Sequence, residues 1–597
     1  MTSTPSETRD PKTTHAGRTS RGFVPAGFDP TDWSSIKPLA EALLERELPD
    51  APAFEGWLLD RSELDAACSE GAARLYINMT CNTADEDASG AYRRYIEDVA
   101  PEMKPVAFAL DRKQVEAAER LGLDTGTHAV LHRDTKADVE LFRPENVPLE
   151  TKLETLSQDH QAIIGAMSVE FEGETKTMPQ MAVYAESSDR ELRERAWRAT
   201  AERRLQDRET IDGIFDEMVG LRHKVATNAG FDSFTGYMYA AKHRFDYGPE
   251  TCYAFHDGVG KEIMPLCARF DEIRKEKLGV DELKPWDLSV DPDSDHPLKP
   301  FEGGVDLVRK TRAAFEGLDP ELARMFETMG DGANTSGVAT GEFLDLDSRR
   351  GKAAGGYQYM LEQTGKPFIF MNAAGVHRDV ETMIHEAGHA FHSMLAGHLP
   401  LVADRSAPLE FAEVASMSME LLTLPHLDAF YPDDADRARA KRVQLADHGI
   451  KLLPWIAIID AFQHWIYDNP NHTTDQRTEH WRSLIERFGL RGSAVAWDES
   501  TAETRDTIWH AQPHPFAVPF YYIEYGIAQL GAYQLWIRSL DEGADVALDA
   551  YKRAMALGGS RPLPELFAAA GLEFDFGAGT LAKIRDRVEA ELDRLES

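Results

Sequence analysis

The segment H-E-A-G-H at 385–389 sets two imidazoles and a carboxylate at a spacing that suits a metal ion. In a helix His385 and His389 stand about 40° apart around the axis and one turn apart along it, so both rings can reach one ion. Glu386 sits beside them, where it can accept a proton from an attacking water. A catalytic zinc site takes three protein ligands and leaves one position for water, so a third ligand is required. A histidine at 395 would extend the pattern, but that residue is Leu395, which turns the search to a later carboxylate. In E-F-A-E-V-A-S-M-S-M-E-L-L, 410–422, helical spacing puts Glu413, Ser416 and Glu420 on one face. Glu413, 28 residues after His385, is the candidate third ligand, far enough along for a loop and an antiparallel return. Glu381 and Glu420 are candidates to hold the ligands in place from behind. His392 is read as lying outside the set, because three ligands already satisfy zinc.

The elements that must carry these residues are also legible. Val380, Ile384, Ala387, Phe391 and Met394 form one apolar stripe, which predicts an amphipathic helix with the histidines on its polar side. Strand-like runs at 341–346, 356–361 and 367–372 come just before it. Alternation over 167–171, Gly173 and resumption toward 177–178 predict a hairpin, and long helical patterns follow at about 189–227 and 249–278. The Pro- and Asp-rich stretch 284–300 reads as a loop or lobe junction. The expected organisation is therefore a disordered tail over 1–25, a mostly helical lobe with a β-hairpin over 26–290, and a catalytic helical lobe over 291–597.

At 597 residues the chain exceeds what a single core serves, and 65 Lys and Arg against 102 Asp and Glu give a net charge of −37. That charge repels phosphate backbones and anionic bilayers, so neither nucleic acid nor membrane is an expected partner. Four cysteines without a C-x-x-C pair, and an N-terminal stretch without an apolar run, make the cytoplasm the expected compartment.

With HEAGHAFH at 385–392 and FAEVASMSMELL at 411–422, the chain resembles the thimet oligopeptidase and oligoendopeptidase F family of zinc metallopeptidases. KAAGGYQYM at 352–360, PFIFMNAAGVHRDVETMIHEAGH at 367–389 and HPFAVPFYYIEYGIAQLGA at 514–532 are similar to the oligoendopeptidase F branch, and SSDRELRERAWRA at 187–199 agrees more weakly. The resemblance implies a mainly α fold of two helical lobes, with a small sheet beside the H-E-x-x-H helix and a deep channel for short unfolded peptides. It implies one zinc ion on His385, His389 and Glu413, with Glu386 as general base. It further implies that His514 and Tyr525 hydrogen-bond the substrate carbonyl or oxyanion, and that Tyr522 lines the same pocket. Tyr522 and Tyr525 can project together from a helix that begins after Pro519. The strand before the metal helix, 367–372, is expected to receive substrate as an added strand, with Gly355 and Gly356 allowing close approach.

The expected activity is zinc-dependent endopeptidase action on oligopeptides. Two other readings stand beside it. A C-terminal exopeptidase of similar fold needs a cationic clamp for the terminal carboxylate, where the segment around His514 offers Gln512. A non-catalytic peptide-binding protein with structural zinc has no use for Glu386.

Overall fold

A computed structural model describes residues 22–596, apart from 124–125, 295, 297, 336, 339–341, 491 and 493. Residues 1–21 of the expected tail lie outside the described residues. In chain order the elements used below are α1 (Ala51–Cys81), the hairpin strands β1 (Ser168–Phe171) and β2 (Glu174–Thr177), and α2 (Pro249–Gly258). They continue with β3 (Leu344–Asp347), β4 (Tyr357–Leu361), β5 (Lys366–Ala373), α3 (His377–Leu395) and α4 (Leu409–Leu422). The last three are α5 (Leu452–Asp468), α6 (Tyr522–Glu542) and α7 (Ala544–Met555). The fold is mainly α with small sheets, as expected, and no helix among the described residues is long and apolar enough to cross a membrane.

Two compact units result, each assembled from three stretches of chain: 1–136, 300–408 and 544–570 in the first; 137–299, 409–543 and 571–597 in the second. Two of the crossings between the units fall at 299/300 and 408/409.

In the first unit the sheet order is β3-β5-β4, with β3 parallel and β4 antiparallel to the central β5. Phe368, Ile369, Phe370 and Met371 of β5 are all buried, which accounts for a near-continuous apolar run rather than alternation. α1 packs against β4, and Thr80 on α1 shares a 2.6 Å hydrogen bond with the Tyr357 hydroxyl. The chain leaves β5, turns through Gly375 at φ +90°, and enters α3. There Asp379 Oδ2 accepts the backbone N–H groups of Ala374, Gly375 and Val376 at 2.8, 2.9 and 3.0 Å. A carboxylate at this end satisfies orphan donors and complements the helix dipole.

In the second unit β1 and β2 pair antiparallel through Glu172 and Gly173, both at positive φ, so the predicted hairpin is present. Its core is helical: α4 packs along α6, and α5 packs against both α2 and α6.

Candidate active site

On α3 all five residues of the predicted apolar stripe are buried, which turns the other side to a polar purpose. His385 and His389 are brought together with ring centroids 4.9 Å apart and planes at 84°. Glu386 between them is only 8% exposed. From behind, Phe391 packs edge-on to Phe315 at 5.0 Å, and the Tyr551 hydroxyl on α7 donates to Gly388 O at 3.4 Å. Glu381 is buried, its carboxylate against Arg378 at 3.0 Å and His377 at 3.5 Å. His392 is buried too, and loss of hydration with the neighbouring His389 holds its imidazole down to about 3.

Sheet order corrects one expectation. β5, the strand before α3, is paired on both sides and has no edge to offer an added strand. Periodicity identifies a strand but says nothing of its place in the sheet. The edge strands are β3 and β4, and Gly355 and Gly356 immediately precede β4. Gly355 has φ +98°, and a Cβ on Gly356 would meet Phe370 O at 3.4 Å, so both glycines answer to backbone geometry. Asn372 on β5 holds the approach by donating to Ala353 O and Gly355 O, each at 2.8 Å.

In the second unit Glu413 is 6% exposed on α4, and Ser416 one turn on donates to its Oε2 at 3.1 Å. Glu420 lies two turns beyond Glu413 and acts electrostatically on buried Tyr533. α6 begins at Tyr522, as predicted after Pro519, and its first turn carries Tyr525. The Tyr522 and Tyr525 rings stand 5.8 Å apart at 85°, with His514 4.8 Å from the first and 6.0 Å from the second. Helical spacing put the two tyrosines together, and His514 was grouped with them through the family resemblance. Burial, then the negative charge of Glu413, push the Tyr525 phenol far above its ordinary range. Burial pulls His514 down, keeping it neutral at pH 7, while Gln512 Nε2 donates to its Nδ1 at 2.7 Å. With Nδ1 accepting, the ring hydrogen sits on Nε2.

Sequence reasoning missed Tyr521. It lies 5.0 Å from Tyr525 ring to ring, and Glu413 acts on it electrostatically. The i, i+4 spacing of Y-Y-I-E-Y could have disclosed it. Also missed was the support under α6. Phe520 sits at φ +62°, strained for a bulky residue, and Gln463 Oε1 accepts its N–H at 2.8 Å. Next to it Glu524 binds Arg244 at 2.7 Å and Lys242 at 3.0 Å, and Tyr247 donates to Glu410 at 2.6 Å.

The donors of His385, His389 and Glu413 are two imidazole nitrogens and a carboxylate oxygen, a set that fits zinc.

The model for "Peptidase family M3" matches residues 183–585. An oligoendopeptidase F homolog of Mycoplasma pneumoniae is 24% identical over 69% of this chain and 67% of its own length. Further curated relatives are spanned over less than half of their own length. Among solved structures, PZ peptidase A with an inhibitor is 28% identical, at TM-score 0.83 over 96% of this chain and 99% of that one. A structure described as oligoendopeptidase F matches at 28% identity and TM-score 0.83, over 96% of this chain and 98% of that one.

Proposed function

Because the chain belongs to peptidase family M3, we propose that it is a zinc endopeptidase that hydrolyses internal peptide bonds of short, unfolded oligopeptides. The observation that carries this reading is the pairing of the His385 and His389 rings on α3, with the buried Glu386 next to His385 in the same helix. Zinc would be held by His385, His389 and Glu413, and when bound it supplies a Lewis acid that makes water nucleophilic near neutral pH and polarises the scissile carbonyl.

The chain's own groups do the rest. Glu386 takes the proton of the attacking water and returns it to the leaving amine. Tyr525 and His514 donate to the oxygen on which negative charge develops. Tyr521 packs its ring against Tyr525 at 5.0 Å and helps to hold the phenol in position. His514, neutral and protonated on Nε2, is a donor without a formal charge. Tyr522 accepts from Trp455 Nε1 at 3.2 Å and lines the pocket. Substrate main chain adds to the edge of β4, where Gly355 and Gly356 leave room beside the backbone. A reducing compartment such as the cytoplasm suits four buried, free thiols.

An exopeptidase would need a free cation near the tyrosines. Lys242 lies 5.1 Å from the Tyr521 ring, but both it and Arg244 are engaged by Glu524, which favours internal cleavage.

The experiment is mass spectrometry of peptides of graded length after incubation with wild-type protein and with Glu386→Gln, both zinc-loaded. Internal cuts in the shorter peptides, absent from the variant, support the proposal. Stepwise C-terminal losses would make the protein an exopeptidase, and intact peptides with folded, zinc-loaded wild type would make it a binding protein.

A further inference from the structure

Two helices in the second unit bring together metal-binding side chains that the reaction above does not use. α2 carries Cys252 and His256, and α5 carries Asp460 and His464; each pair is four residues apart and so on one face of its helix. α2 and α5 pack against each other, and all four residues are at most 3% exposed. One ligand atom each from Cys252, Asp460 and His464 lies within 4.8 Å of the others. Zinc's bond lengths separate neighbouring ligands by about 3.3–3.8 Å, so small side-chain rotations would close the set.

The hydrogen bonding leaves this cluster unfinished. His256 Nε2 meets Asp460 Oδ2 at 2.9 Å, orienting the carboxylate, and the Tyr239 hydroxyl is 2.9 Å from Cys252 Sγ. Asp460 Oδ1 and both ring nitrogens of His464 have no hydrogen-bond partner; the 3.5 Å contact of His464 Nε2 with Asp460 Oδ2 lacks the geometry. Around His464 stand the rings of Tyr253 and Phe520, each at 5.1 Å, and Tyr239 at 6.2 Å, none of which fills that need. Buried polar atoms are ordinarily paired, so the three orphans mark an absent partner.

We propose that Cys252, Asp460 and His464 form a second site for a divalent ion of zinc's class, with His256 holding the Asp460 carboxylate in place and one position left for a further ligand. Charge supports it: a dication would neutralise one thiolate and one carboxylate held in a dry interior. Sulfur and imidazole donors select zinc or cobalt over magnesium and calcium. The ion would tie α2 to α5 one residue from Gln463, which holds Phe520 ahead of α6.

The test uses full-length protein carrying His385→Ala and His389→Ala, which empties the catalytic set. After dialysis against cobalt and removal of free metal, elemental analysis should find about one ion per chain, with a near-ultraviolet sulfur-to-cobalt charge-transfer band. Adding Cys252→Ser should abolish the band while far-ultraviolet circular dichroism stays unchanged. Zinc-loaded wild type, which avoids any core substitution, should hold two ions per chain. No retained cobalt, or cobalt without the band, would overturn the proposal and leave an Asp460 carboxylate shared between imidazoles and water. Loss of peptide cleavage plays no part in either readout, so the two proposals fail separately.

Discussion

Gln512 Nε2 donates to Nδ1 of His514 at 2.7 Å, and this one bond decides which ring nitrogen carries the hydrogen. Replacing Gln512→Leu frees the ring to adopt the other tautomer. A fall in kcat of about tenfold with little change in KM is expected, because the lost donor acts on the developing charge. Steady-state kinetics on one fluorogenic peptide measures both.

For Glu386→Gln the expectation is retained zinc and loss of turnover by about a hundredfold or more, the usual worth of a general base. His389→Ala should lose the ion from the catalytic set. Metal content by elemental analysis beside peptide cleavage separates the two, and chelation followed by zinc should restore only the wild type.

Tyr525→Phe should lower kcat by about ten- to a thousandfold, as expected for one oxyanion donor. Burial and Glu413 raise the phenol far above neutrality, so Tyr525 stays protonated across the working range. The alkaline limb of the pH profile should therefore keep its position in the variant. A limb that shifts would assign Tyr525 a titrating role instead.

Gln463 Oε1 is the acceptor for the N–H of Phe520, the residue at φ +62°. Gln463→Leu leaves a buried amide unpaired, at a cost of about 1–3 kcal/mol. Chemical denaturation should show that loss, and kcat should fall with it, because the strained residue sets where α6 begins.

His480 stacks on Trp465 with centroids 4.5 Å apart at 10°, and burial pulls it down to about 4. The native state resists its protonation while the unfolded chain, near 6.5, accepts it. Stability is therefore fully present above pH 6.5 and declines as pH falls toward 4. His480→Phe keeps the stack and removes the titration. It should flatten that decline by about 1–2 kcal/mol, a range reduced for partial exposure, in melting curves taken from pH 7 to 4.

Particular residues show how far the chain could be read in one dimension. The stripe from Val380 to Met394 predicted α3, and the structure buries every member. The hairpin at 168–177 and the three strands before α3 were equally plain, since period-two patterns and glycines are local signals. His514, Tyr522 and Tyr525 were grouped through a family resemblance, and their rings do cluster. Glu420 was grouped with Glu413 because both share a face, but two turns of helix separate them. The edge strand was missed although the patterns differ: Lys366–Ala373 carries a near-continuous apolar run and Tyr357–Leu361 is mixed and partly exposed.

By itself the sequence determined the helix that bears His385, Glu386 and His389, because helical periodicity and i, i+4 spacing are properties of adjacent residues. It also determined the chemistry those residue types can perform. Only the tertiary structure decided that β5 is central in its sheet, and that Cys252 and His256 meet Asp460 and His464. Each of those facts depends on which surfaces pack together, and packing joins residues hundreds of positions apart through burial that no local pattern records.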